Sequence, residues 1–144
     1  MRMLCWYLVI CLIPAIAQAE EKPDPRENLD TAIVEATKQL ENKKYDKFIT
    51  DFMSPDERKH IPDDKLPEIA KIIEKNSAEM LTEMKAIQNM KPELEAEGTK
   101  AIYRNIKIEG GTSSVGWVKV GKYWYISGSD TKSKKVLPKQ PTKP

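Results

Sequence analysis

A single histidine, His60, with Asp56, Asp63 and Asp64 within four residues of it, is the first group in this sequence whose residue types could do chemistry. An imidazole titrates near neutrality and acts as a general base when it sits beside a substrate and a partner orients it. The stretch that carries it, Glu57-Arg58-Lys59-His60, is charged throughout and runs into Pro62, the composition of a solvated turn. His60 is therefore expected at the surface. An enzyme pairing His60 with a carboxylate is the alternative, and it requires His60 to face a pocket.

Other chemistries find less support. Asp63-Asp64 are adjacent, whereas a calcium loop spaces its carboxylates as D-x-D-x-D-G. A structural zinc site needs His and Cys ligands that residues 20–144 do not supply. Met80 and Met84 lie four apart and could offer thioethers to copper(I), but a Met stripe at helical spacing is more often core filler. There is no G-x-S-x-G elbow for a nucleophilic serine. Gly110-Gly111 lacks the Gly-Lys-Ser/Thr and the helix of a phosphate loop, and reads as a turn. No cofactor is expected, and no catalytic residue is assigned.

Residues 1–19 read as a secretory signal: Arg2 is the positive start, Leu4 to Ile13 the apolar run, and Ala17-Gln18-Ala19 the small-residue cleavage site. Cleavage after Ala19 makes the protein secreted or periplasmic. Both cysteines, Cys5 and Cys11, leave with the signal, so the mature chain is disulfide-free. No transmembrane segment remains after signal removal. At this length one domain buries roughly two-thirds of its unfolded surface, enough for a core without crosslinks.

Lys+Arg number 24 and Asp+Glu 22, a formal net charge of +2. That balance speaks against nucleic acid as a partner. The charge is uneven. Residues 129–144 carry Lys132, Lys134, Lys135, Lys139 and Lys143 against Asp130 alone, with three prolines and no aromatic. This segment is expected to be a disordered basic tail; it solubilises the protein, and Lys132, Lys134, Lys135 and Lys139 are candidates for contact with an anionic envelope surface.

Residues 20–24 form a linker and 25–128 the folded domain. Asp24-Pro25-Arg26-Glu27 has the form of a capping box, and Leu29, Ile33, Ala36 and Leu40 form a helical stripe ending near Asn42. Tyr45, Phe48, Ile49 and Phe52 repeat the helical spacing. Ser54-Pro55-Asp56-Glu57 is a second capping box. Ile69, Ile72 and Ile73, then Met80, Leu81, Met84 and Ile87, mark further helix, with a break or kink allowed at Asn76-Ser77.

After Pro92 the period changes to two. Glu93 to Glu97 is a strand with one wet side, and Gly98 allows a reversal. Thr99 to Ile108 is a longer strand with apolar groups of both parities, so a bulge is plausible there. Val115 to Val120 and Lys122 to Ser127 form the last hairpin around Gly121. With Gly121-Lys122 as its loop, Val118, Val120, Tyr123 and Tyr125 share one face and Trp117, Trp124 and Ile126 the other. Helices first and an antiparallel meander after them define an α+β protein.

This order, with Tyr45-Asp46-Lys47-Phe48-Ile49-Thr50-Asp51-Phe52-Met53-Ser54-Pro55 and the hairpin Trp117-Val118-Lys119-Val120-Gly121-Lys122-Tyr123-Trp124-Tyr125-Ile126, resembles the nuclear transport factor 2-like superfamily. Its members, the SnoaL-like proteins and small secreted ones among them, are α+β cones with a cystatin-like fold. The likeness implies helices packed on a curved sheet and a cavity whose mouth lies between the two. Tyr103, Trp117, Trp124, Met80 and Met84 are the candidate cavity lining, suited to a small apolar ligand by area and polarizability. The same residues filling a solid core is the plainer expectation. The inhibitory Gln-x-Val-x-Gly loop of cystatins is missing. The expected role is a non-catalytic binding or interaction module. The alternatives are a SnoaL-like enzyme using His60 and a structural domain that dimerises through Tyr123 and Tyr125 on its sheet.

Overall fold

The computed structural model describes residues 22–127; the signal segment and the basic tail expected from the sequence lie outside them. Among the described residues four α-helices come first: α1 (Leu29–Glu41), α2 (Tyr45–Phe52), α3 (Pro55–Arg58) and α4 (Leu66–Ile87). Four strands follow, β1 (Glu93–Glu95), β2 (Lys100–Ile108), β3 (Gly111–Val120) and β4 (Tyr123–Ser127), in one antiparallel sheet of order β1-β2-β3-β4. Helices packed on a meander make the domain α+β, as the change of period at Pro92 implies. Among the described residues no helix is long and apolar enough to cross a membrane.

The first helix starts later than its capping box suggests. Pro25–Glu27 is a separate 3-10 turn, and Asn28, not Asp24, caps α1 by accepting from the Asp30 and Thr31 amides. Glu27 does not reach back; its carboxylate pairs with Lys122 at 3.0 Å, tying the turn to the far hairpin. We expect Asn28→Ala to cost about 1 kcal/mol, read as a lowered urea midpoint, because it orphans the first-turn amides. No loss would mean that water caps them equally well.

Asp24 instead holds Arg26, accepting from its backbone amide at 2.9 Å and its guanidinium at 2.6 Å. The Arg26 guanidinium holds the Asp24 carboxyl down at about 2, from an ordinary value of 3.8, with partial burial opposing. A depressed acid stabilises the fold above its unfolded pKa. This contribution is therefore full above pH 3.8 and disappears as pH falls towards 2. Side chains here remain about a quarter exposed, so the effect is a modest one. The wild type should lose stability over that window more steeply than Asp24→Asn does in pH-dependent denaturation. Parallel curves would count against it.

The expected break at Asn76-Ser77 does not form. Leu66–Ile87 is one continuous helix of 22 residues. The Asn76 amide donates to the Ile72 carbonyl at 2.9 Å and the Ser77 hydroxyl to that of Glu74 at 2.7 Å, so both polar side chains fold back on their own helix. Burial along α4 rises toward its end: Ile72 is 57% exposed, Ile73, Met80 and Leu81 are partly buried against the core, and Glu83, Met84 and Ile87 are buried.

The bulge in β2 is present. The register shifts between Tyr103 and Ile106, with Asn105 at φ 58°. Arg104 and Asn105 turn out to solvent, and Ile106 joins Ala101 and Tyr103 in the core although its sequence parity differs. β1 buries nothing, with Leu94 62% exposed, so its expected apolar side is not used. Gly121-Lys122 does form the two-residue loop, with Val120 opposite Tyr123.

The core sits between α1, α2, the end of α4 and the inner face of the sheet. Ala32, Ile33, Ala36 and Leu40 give the α1 stripe, Phe48 and Phe52 that of α2. Phe52 stands edge-on to Trp117, ring centres 5.9 Å apart.

Candidate functional site

One groove combines apolar walls with buried polar groups. It lies between the middle of α4 and the strands β3 and β4, with a volume of about 440 Å³. Asn76, Glu79, Met80, Glu83 and Met84 form its helical wall. These positions are three and four apart, the spacing that places side chains on one helix face. Ser113 to Gly116 and Ile126 to Ser127 form the opposite wall.

The groove opens because side chains on the inner face of β3 shrink. Trp117, Val115 and Ser113 alternate onto that face, with Trp117 deep in the core and Ser113 opposite Ile106. A bulky residue can fill the space between a long straight helix and a twisted sheet; a serine cannot. Where α4 runs past Ser113, space remains.

Two polar groups are buried in it. Glu83 is only 9% exposed, and no lysine or arginine lines the groove among the described residues. Burial pushes the Glu83 carboxyl up from its ordinary 4.5, the charge of Glu79 one turn earlier pushes the same way, and the Ser113 hydroxyl opposes both. That hydroxyl lies near the carboxylate without reaching full hydrogen-bond geometry: Ser113 is 8% exposed and its Oγ has no partner. A buried hydroxyl left unpaired costs free energy, and native interiors rarely leave one so.

A raised carboxyl pKa fixes the sign of a stability effect. The protonated form is the better tolerated one, so the Glu83 contribution is full below pH 4.5 and is lost as pH rises through the higher folded value. Glu83→Gln should therefore stabilise the ligand-free protein at neutral pH by about 0.5–2 kcal/mol, with little change at acid pH. A denaturation series over pH tests it; a destabilised variant at neutral pH would show that the charge is compensated.

Of the residues singled out from the sequence, Met80 and Met84 line this groove. Tyr103, Trp117 and Trp124 lie in the core at 1%, 0% and 6% exposure, outside the groove wall. Burial pushes the Tyr103 hydroxyl to about 12, so it stays neutral. Lys132, Lys134, Lys135 and Lys139 lie outside the described residues. On the outer sheet face Tyr123 is half-buried beneath Arg26, whose guanidinium lies 4.5 Å from its ring centre.

His60 is exposed in the turn after α3, its Nδ1 2.7 Å from the Asp56 carbonyl oxygen, and it does not line the groove between α4 and the sheet. No cluster of three His, Cys, Asp or Glu residues suited to a metal occurs among the described residues.

Sequence reasoning missed Glu83 and Ser113. The signal for Glu83 was present: it stands three residues after Met80 on the stripe that continues through Met84 and Ile87. A charged residue at a stripe position is either an error of phase or a buried group. Ser113 has the parity of Val115 and Trp117 on β3, which places it on the inner face, but nothing local to it shows that α4 passes over it.

A second polar cluster joins α1 to α2. The Gln39 amide donates to Glu35 at 3.1 Å and to Asp51 at 2.7 Å, and Lys47 pairs with the same Asp51. It is a linkage between helices with little space in it.

The domain is thus an α+β unit with an amphipathic groove between helix and sheet. Compared with known proteins, the chain matches no family model, no curated protein and no solved structure.

Proposed function

We propose that this protein is an exported, non-catalytic binding module, a small member of the nuclear transport factor 2-like class, that holds a small and mainly apolar ligand in the groove between α4 and the sheet. One observation carries the reading. The Ser113 hydroxyl is buried without a partner beside the buried Glu83 carboxyl, at the wall of a groove whose apolar lining is Met80, Met84, Val115 and Ile126. Binding sites of this kind are mostly apolar with a few placed polar groups. A ligand with an apolar body and one polar end would cover the former and pair the latter. The flexible thioethers of Met80 and Met84 adapt to such a body.

Native mass spectrometry of the protein purified from its own host tests this. A small-molecule mass that survives gentle ionisation and leaves on denaturation is the expected result. A bare mass, together with an unchanged melting temperature across a panel of amphiphiles, would sink the reading.

A further inference from the structure

The wall of the groove is acidic. Both ionisable groups on its wall, Glu79 and Glu83, are acids, and both come from α4 one turn apart. β3 adds the unpartnered Ser113 hydroxyl, itself more than nine-tenths buried. Lys75 lines a neighbouring groove with Glu79 and Glu109 and is not part of this one. We propose that the ligand is a primary-amine amphiphile, its alkyl chain along Met80, Met84, Val115 and Ile126 and its ammonium between Glu83, Glu79 and Ser113 Oγ. This rests on the binding reading of the same groove and specifies its ligand class.

The alternatives fail on donor count or on sign. An ammonium carries three donors and a positive charge, matching two carboxylates and one hydroxyl oxygen. An alcohol brings one donor and leaves the carboxylate charge in place. A carboxylate head would meet two like charges in a partly dry site. A quaternary ammonium has no N–H donor, and the groove wall carries no aromatic ring to cage it.

Calorimetric titration of the full-length protein with octylammonium, octanol, octanoate and octyltrimethylammonium tests the assignment. Octylammonium should bind tightest, the other three about tenfold or more weaker. Glu83→Gln should weaken octylammonium by about tenfold or more and leave octanol unchanged, with a smaller loss for Glu79→Gln. Octylammonium affinity should also rise with pH as Glu83 ionises, since Glu79 is the one other titratable group on the groove wall and the β3 and β4 walls offer serines. A purely structural Glu83 would not produce that trend. Octanol or octanoate binding as tightly as octylammonium would overturn the amine assignment and leave the groove reading intact. Octylammonium binding only after Lys132, Lys134 and Lys135 are changed to Gln would also overturn it, assigning the groove to the chain's own basic segment. Failure of all four probes to bind would overturn it as well, and the native-mass result would then decide the groove reading separately.

Discussion

Trp117→Ala lowers stability by about 3–5 kcal/mol, the largest single effect expected in this protein. Trp117 is fully buried at the centre of β3, between Ala101 on β2 and Ile126 on β4, and meets the edge of Phe52 from α2. Its removal takes away transfer free energy and leaves a cavity that a rigid sheet and two helices cannot close. Because a domain of this size holds only about 5–15 kcal/mol, the variant would be marginal at physiological temperature. Trp117→Phe separates packing from hydrogen bonding. The indole Nε1 is buried without a partner, so Phe deletes an unsatisfied donor while losing volume, and should cost well under half as much. Urea unfolding of both variants reads the difference. A loss below about 1 kcal/mol for Trp117→Ala would mean that the indole faces an open cavity instead of a filled core.

Ser77→Pro should cost about 3 kcal/mol or more. Ser77 lies in the middle of α4, far from either end of the 22-residue helix. Proline there removes the amide hydrogen bond and drives its ring against the Ile73 carbonyl. The kink would swing the two halves of α4 apart, and Met80 and Glu83 would no longer face Val115 and Ser113. Octylammonium binding should therefore fall together with stability. Ser77→Ala, which keeps the helix and removes only the Glu74 back-bond, is the control and should change stability little. If proline were tolerated with helicity unchanged by circular dichroism, α4 would be two helices meeting at Asn76-Ser77.

Asn76-Ser77 looked like a break because both residues prefer caps and turns to helix interiors. Inside α4 each satisfies itself by bonding a carbonyl of the preceding turn, and the continuous stripe of Met80, Met84 and Ile87 packed on the sheet outweighs their local preference. Propensities differ by only a few tenths of a kcal/mol, whereas burial of one such side chain contributes about 1.5–3. The Asp24 box misled for a related reason. Its residues fit a helix start, but Arg26 claims the Asp24 carboxylate, and Asn28 four residues on is an equally good cap.

Composition and periodicity were sufficient for the fold class, because amphipathic stripes at helical and strand spacing record which side of each element must leave water. They mark α2 by the stripe Tyr45 to Phe52, end α1 near Asn42, allow a bulge in the long strand and offer Gly121-Lys122 as the hairpin loop, and the fold has each of these. The aromatic residues were recognised as inward-facing, but periodicity cannot distinguish a core from a cavity wall, since both are apolar. Only the tertiary arrangement decided that Tyr103, Trp117 and Trp124 fill the interior and that the groove lies further out, where α4 passes the small face of Ser113. It alone brought Glu83 and Ser113 together from positions 30 residues apart on different elements. The spacing of residues along one element is a local property of the chain. The distance between a helix and a sheet is set by the sizes of all the side chains packed between them, and no single stretch of sequence contains it.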